Sequence, residues 1–163
     1  MNGNSMKESN LRKSESEVLK RIMGLKKQGK TIVFTNGVFD IIHPGHIKLL
    51  KKSKSFGDIL VVGLNTDKSV KINKGDKRPI FPFEERKKLL LAIEFVDFVI
   101  GFNEKTPINL ISKIIPDILV KGGDYKPEEV VGREIVEKNG GKLILINLIS
   151  EYSTSKIIEN CLK

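Results

Sequence analysis

The sequence has no tryptophan, two tyrosines, two histidines and one cysteine. It also lacks any apolar run of membrane-spanning length. Each scarcity excludes something. A lone thiol, Cys161, cannot form an internal disulfide, and one cysteine with two histidines gives no recognisable zinc spacing. The first ten residues are polar and lack the apolar core of a secretory signal. A soluble protein of a reducing compartment, the cytoplasm, is therefore expected. Scarce tryptophan and tyrosine make a poor stacking platform for single-stranded nucleic acid. The 29 Lys and Arg against 20 Asp and Glu give a formal charge of +9, but the lysines are spread along the chain. That charge is read as the solvated surface of an enzyme handling phosphate-bearing small molecules, with no nucleic acid or membrane as partner. At 163 residues the chain is one domain's worth, able to bury a core without disulfides or a structural metal.

Hydrophobic periodicity sets the expected elements. Val18, Leu19, Ile22 and Met23 share one helical face, with Gly29 as its stop, so residues 1–29 read as a helical extension. From Lys30 to the end, strand and helix patterns alternate. Strands are predicted at 31–35, 59–64, 96–100, 117–121 and 142–146. Helices are predicted at 44–56, 83–93, 107–115 and 127–138, with a closing helix from Ser153 or Thr154 to Leu162. Within 83–93, Leu89, Leu90 and Ile93 are expected to face inward. Thr106 is expected to cap the 107–115 helix with Pro107 at its first position. Residues 65–82 read as a long polar loop. Apolar strands separated by amphipathic helices imply a doubly wound, Rossmann-like α/β sheet of about five parallel strands, with helices on both faces. Ligands bind such sheets at the carboxyl ends of the strands.

The loop after the first strand reads Thr35-Asn-Gly-Val-Phe-Asp-Ile-Ile-His-Pro-Gly-His. His43 and His46 straddle Pro44 and Gly45 where a strand gives way to a helix. Pro44 suits the first helical turn, and Gly45 lets a polyanion approach the backbone. Free amides and the positive end of the helix dipole favour phosphate oxygens there. Two imidazoles on one side of that turn can donate to one phosphate chain and stabilise charge built up by attack on an α-phosphorus. A metal pair would need a third ligand, and no nearby carboxylate has obvious spacing.

This stretch resembles the signature of the cytidylyltransferase-like nucleotidyltransferase superfamily. Within it, the chain is most similar to the adenylyltransferase domain of bacterial ADP-heptose synthases. Lys74-Gly-Asp-Lys-Arg-Pro, the segment Val120-Lys-Gly-Gly-Asp-Tyr and Tyr152-Ser-Thr-Ser-Lys-Ile-Ile carry the same resemblance, which covers about residues 30–162. The similarity implies that residues 30–163 form a nucleotidyltransferase domain. It also implies a reaction, in which ATP and D-glycero-β-D-manno-heptose 1-phosphate give ADP-heptose and pyrophosphate, for lipopolysaccharide core synthesis. Mg²⁺ would be held mainly through the nucleotide phosphates. The familiar form carries a sugar-kinase domain ahead of this one; only a short helix precedes Lys30 here, so a stand-alone transferase is expected, in a homodimer.

Site roles follow from position and resemblance together. His43, His46 and Lys74 are assigned to catalysis. Thr35, Asn36, Gly37, Phe39, Gly45, Lys121, Gly122, Asp124, Ser153 and Thr154 are assigned to the nucleotide, although packing would also explain Phe39. The superfamily implies that Ser153 and Thr154 meet the triphosphate. Asp67, Lys71, Arg78 and Arg86 are assigned to the substrate phosphate, with a surface ion pair as the alternative for Arg86. Asp40 is expected to hold the loop by accepting from neighbouring amides. Two alternatives stand beside this: a glycerol 3-phosphate cytidylyltransferase, and a basic nucleic-acid-binding α/β protein without catalysis.

Overall fold

The computed structural model describes residues 10–11, 13–147, 154 and 157–158. The expected closing helix, including Ser153, lies largely outside the described residues.

Helix α1 spans Glu15–Lys27 and begins with a reciprocal cap: Ser14 accepts from the Glu17 amide while Glu17 accepts from the Ser14 amide. It ends before Gly29, whose φ of 80° suits a residue without a β-carbon. The chain then runs β1 (Ile32–Gly37), α2 (Pro44–Lys54), β2 (Ile59–Asn65), α3 (Asp67–Lys74) and α4 (Phe83–Ala92). It continues through β3 (Phe98–Phe102), α5 (Ile108–Ile114), β4 (Ile118–Gly122), α6 (Arg133–Lys138) and β5 (Lys142–Ile146). The five strands form one parallel sheet in the order β3-β2-β1-β4-β5. The order reverses at β1, so the loop after β1 lies at the switch point where such sheets bind ligands.

Strand side chains alternate between two cores. Ile32, Phe34, Val61, Ile100 and Leu119 meet Val18 and Ile22 of α1, Leu110, Ile111 and Ile114 of α5, and Val136 of α6. Val33, Leu60, Val62, Leu64 and Val120 meet Leu49 and Leu50 of α2 and Leu90 and Leu91 of α4. Burying each such aliphatic side chain contributes about 1.5–3 kcal/mol. Three aspartates tie down the amino ends of strands, away from the site: Asp58 accepts from Thr31, Asp117 from Ile32 and Asp97 from Leu60.

Four expectations need correction. The 65–82 segment is not all loop: Thr66 accepts from the Ser69 amide and starts α3, which buries only Ser69 and Val70 and so lacks a legible apolar stripe. Leu89 faces outward at 44 % exposure, and Leu91 takes the inward place. Pro107 precedes α5 as its cap, and no side chain caps that helix. The helix expected over 127–138 is a 3₁₀ turn, Pro127–Glu129, followed by α6. Gly132 separates the two with φ at 88°, pressed so close to Ile111 that a β-carbon would stand 2.5 Å from Cδ1.

Candidate active site

The end of β1 turns sharply into the α2 loop. Phe39 adopts left-handed backbone, φ 47°, and folds its ring over Gly37, where a β-carbon would stand 3.0 Å from Cε2. The same ring tilts against His46 with centroids 4.9 Å apart. Phe39 is 3 % exposed, so it acts as a spacer that sets the imidazole rather than as an exposed contact.

His43 occupies the cap position of α2 and Pro44 the first turn, and no side chain caps the helix start. The positive end of α2 is thus left to an outside acceptor. The His43 and His46 rings stack with centroids 3.8 Å apart and planes at 27°. Among the described residues, the buried Nδ1 atoms of both histidines have no hydrogen-bond partner, and neither do Thr35 Oγ1 and Asn36 Oδ1. Buried polar atoms are nearly always paired, so four orphans between the end of β1 and the first turn of α2 mark a place for a polar ligand or water.

Burial lowers the pKa of both imidazoles. His46 is pushed down to about 4, by burial first and by the adjacent His43 second, with the Ile41 carbonyl acting in the opposite direction. Two stacked neutral rings each keep one N–H donor, which is what phosphate oxygens require. Thr154 Oγ1 donates to the Ile41 carbonyl at 3.3 Å, so Thr154 meets the histidine loop at this point.

Two ion pairs, each with one fully buried side chain, brace the loop from behind. Asp40 is 1 % exposed; it accepts from Arg78 Nε at 2.7 Å and from the amides of Ile80 and Phe81 at 2.9 Å. The expected holding role of Asp40 thus has named partners. Arg86 is wholly buried and donates to Phe81 O, Val38 O, Asn65 O and Asp67 Oδ1 at 2.7–2.9 Å. It therefore joins the ends of β1 and β2 to α3 and α4. Its partner is Asp67, not a glutamate of its own helix. Three residues assigned from sequence to the substrate phosphate, Asp67, Arg78 and Arg86, are engaged with protein groups here. Lys71 stays exposed on α3.

An open cavity of about 460 Å³ lies across the carboxyl ends of β1, β2 and β4. Asn36 and Gly37 line it from β1, Asn65 from β2, Lys74 from α3 and Lys121 from β4. The sequence assignments missed Asn65, Asn73, Lys105, Thr106, Tyr125 and Glu129 on its wall. Lys105 was findable, since it sits in the loop after the third strand, one of the sheet-end loops. Lys121 is half-buried, and burial pulls its ammonium down to about 8. Gly122 ends β4, and Asp124 is exposed just beyond it. A larger cavity around Gly132 and Arg133 involves none of the sequence-assigned residues.

Among the described residues, no three His, Cys, Asp or Glu side chains converge to hold a metal, and Asp40 and Asp67 are bonded to arginines. The chain's described side chains do not supply a metal cage. Among those residues, too, no helix is long and apolar enough to cross a membrane.

The bifunctional protein HldE of Geobacter sulfurreducens is 51 % identical over 90 % of this chain, and that of Citrifermentans bemidjiense 48 % identical over 98 %. The chain spans about a third of the length of these relatives: 30 % and 33 %. A crystal structure of the lipopolysaccharide core biosynthesis protein from Thermoplasma volcanium superimposes with a TM-score of 0.61 at 35 % identity, covering 76 % of this chain and 99 % of that one. Pantoate-beta-alanine ligase from Francisella tularensis shares the fold alone, at TM-score 0.56 and 18 % identity, over 84 % of this chain and 67 % of that one. The cytidylyltransferase-like family model matches residues 34–160, from within β1 to the carboxyl-terminal segment, and the chain belongs to that family.

Proposed function

We propose that this chain transfers AMP from ATP to D-glycero-β-D-manno-heptose 1-phosphate, giving ADP-heptose and pyrophosphate. The observation that carries it is the stacked, neutral pair His43 and His46 at the uncapped start of α2, with orphaned buried polar atoms around it. A neutral donor pair at a positive helix end suits a polyphosphate. Family membership and the HldE relatives support a nucleotidyl group as what is moved.

In the reaction, an oxygen of the acceptor phosphate attacks the α-phosphorus of ATP. A new P–O bond forms, the α–β anhydride bond breaks, and its electron pair leaves on pyrophosphate. The acceptor phosphate dianion needs no base to remove a proton. What the protein supplies is position and charge stabilisation. His46 and His43 donate to phosphate oxygens as charge grows on them, and each such donor is worth roughly 2–4 kcal/mol in the transition state. Phe39 and the Asp40–Arg78 pair hold the loop so that these donors are set before the substrates arrive. Ser153 and Thr154 are assigned to the triphosphate, and the Thr154–Ile41 contact supports that role for Thr154. Gly122 and Asp124 serve the nucleoside, and Lys74 and Lys71 neutralise phosphate charge from α3. Magnesium would arrive with ATP, held by phosphate oxygens, and neutralise part of their charge. Residence in the cytoplasm and a homodimer belong to the same proposal; the exposed Ile80, Phe81 and Leu89 give a dimer apolar surface to cover.

A pyrophosphate-release assay with heptose 1-phosphate against ATP, CTP, GTP and UTP tests this. Turnover with ATP alone is expected. Release with CTP and glycerol 3-phosphate, and none with heptose 1-phosphate, would overturn the substrate.

A further inference from the structure

The β2 end of the cavity carries a side chain that the transfer chemistry leaves unused. Asn65 closes β2 and is 5 % exposed, and its carbonyl is held by Arg86 Nη1 at 2.8 Å. Its Nδ2 donates to Ser69 Oγ at 2.8 Å, and Ser69 Oγ lies 2.6 Å from the Glu104 carbonyl. A carbonyl only accepts, so the single Ser69 hydroxyl proton goes to Glu104. Ser69 Oγ must then accept from Asn65, and only the amide nitrogen can supply a proton. The orientation of the amide is thereby fixed by its partners, and Oδ1 is the end left over. It has no partner among the described residues, and it is not sealed off: Asn65 lines the cavity of about 460 Å³.

Asn73 repeats the pattern one turn further along α3. Its Nδ2 donates to the Lys105 carbonyl at 3.1 Å, which again leaves the amide oxygen as an acceptor, on a residue of the same cavity wall. Ser69 and Asn73 thus tie α3 to two consecutive carbonyls of the loop after β3. Position says which substrate meets these oxygens. In the order β3-β2-β1-β4-β5, the triphosphate is assigned to the loop after central β1 and the nucleoside to the end of β4. Asn65 and Asn73 lie on the other side of β1, with β2 and α3, on the side left for the second substrate. An oxygen that only accepts attracts a donor. The hydroxyls of a sugar or polyol phosphate are donors, whereas its phosphate dianion has no proton to give. The ammonium groups of Lys74 and Lys105 border the same wall, and among the described residues neither is bonded to these amides.

We propose that Asn65 Oδ1, with Asn73 on the same wall, accepts a hydrogen bond from a hydroxyl of the acceptor, so that this side of the cavity selects a polyhydroxylated sugar or polyol phosphate by its hydroxyls. The proposal rests on the nucleotidyltransferase reading and says how that site tells one acceptor from another. Because Arg86 and Ser69 hold Asn65 at its carbonyl and its amide nitrogen, the oxygen is set before the acceptor arrives. An acceptor lacking the matching hydroxyl would cover Oδ1 without bonding it, and so would bind less well. No proton passes through either asparagine.

The test is pyrophosphate release by wild type, Asn65→Leu and Asn65→Asp, with folding verified by circular dichroism. The acceptors are heptose 1-phosphate and a panel of analogues that each lack one hydroxyl. With wild type, one analogue should fall about tenfold below the intact acceptor in kcat/KM. Asn65→Leu should lower kcat/KM for the intact acceptor by a similar factor, through KM, and leave that analogue unchanged, because its bond is already missing. The KM for ATP should stay within about twofold. Asn65→Asp keeps an acceptor oxygen at the same place and should keep the discrimination; losing it as the Leu variant does would overturn the proposal. A wild type indifferent to every missing hydroxyl would overturn it whether or not the variants fold. So would a Leu variant that slows the intact acceptor and every analogue by one common factor, which is what a merely structural role gives, or that raises the KM for ATP in place of the acceptor's. Should wild type release no pyrophosphate from any pair, the transferase reading fails, and calorimetric titration with heptose 1-phosphate still judges the subsite. Binding weakened in Asn65→Leu supports it; equal binding by both proteins, or none by wild type, overturns it.

Discussion

Replacing Arg86 with methionine separates a scaffold role from a substrate role. The guanidinium is wholly buried and makes four hydrogen bonds: three to the carbonyls of Val38, Asn65 and Phe81, and one to Asp67. Methionine fills much of the volume and supplies no donor. Asp67 is 43 % exposed and can be rehydrated, so its loss counts for little. The carbonyls are less fortunate, and each buried acceptor left unpaired costs roughly 1–3 kcal/mol. Two left dry give a loss of about 4 kcal/mol. For a domain of this length that lowers Tm by about 10 °C. Arg86→Lys keeps the charge but reaches fewer acceptors, and about half that loss is expected. Urea denaturation followed by circular dichroism measures both. The scaffold role is refuted if Arg86→Met stays within about 1 kcal/mol of wild type while KM for either substrate rises more than tenfold.

Three further outcomes are expected. His46→Ala should cut kcat more than tenfold, because one transition-state donor is lost; unchanged turnover in a folded variant would remove His46 from the mechanism. Stability should decline as pH falls from about 6.5 towards 4, because unfolded His46 binds a proton there that the native imidazole, lowered to about 4, refuses. The drop from this group is at most about 3 kcal/mol, and denaturation curves of His46→Gln should show a shallower slope; equal slopes would contradict the assignment. Gly132→Ala should destabilise by roughly 2 kcal/mol or more, since alanine must accept a φ of 88° and a β-carbon 2.5 Å from Ile111. A neutral effect in thermal melts would mean that the α5–α6 contact relaxes freely.

The fold was legible in the sequence where one physical signal dominated. Val33, Leu60, Val62 and Val120 lie in apolar strands buried on both faces, and such runs cannot be read as surface. Pro44 after His43 is a local signal that announces a helix start. Helix α3 escaped because Val70 is its one buried aliphatic residue, so period 3.6 has nothing to register. The break at Gly132 is a tertiary effect: Ile111, from another helix, occupies the space a side chain would need. The site divides in the same way. His43 and His46 stand out because their spacing and their place after a strand are local facts. The partners of Arg78 and Arg86 are not local. Asp40 is 38 positions from Arg78 and Asp67 is 19 from Arg86, so both cations passed for phosphate ligands. Likewise, no window of sequence shows that Lys105 and Lys121 share a wall; only the order β3-β2-β1-β4-β5 brings their loops to one end.

Phosphorus NMR of a mixture of the protein, ATP and heptose 1-phosphate tests the central claim most directly, because it shows which bond breaks. A paired set of diphosphate-diester resonances should grow in step with free pyrophosphate, in equal amounts, as the ATP α-phosphorus and the sugar phosphate signals decline together. Appearance of ADP with a new phosphomonoester or inorganic phosphate would mean that the γ-phosphorus is attacked, and nucleotidyl transfer at the His43–His46 loop would be contradicted.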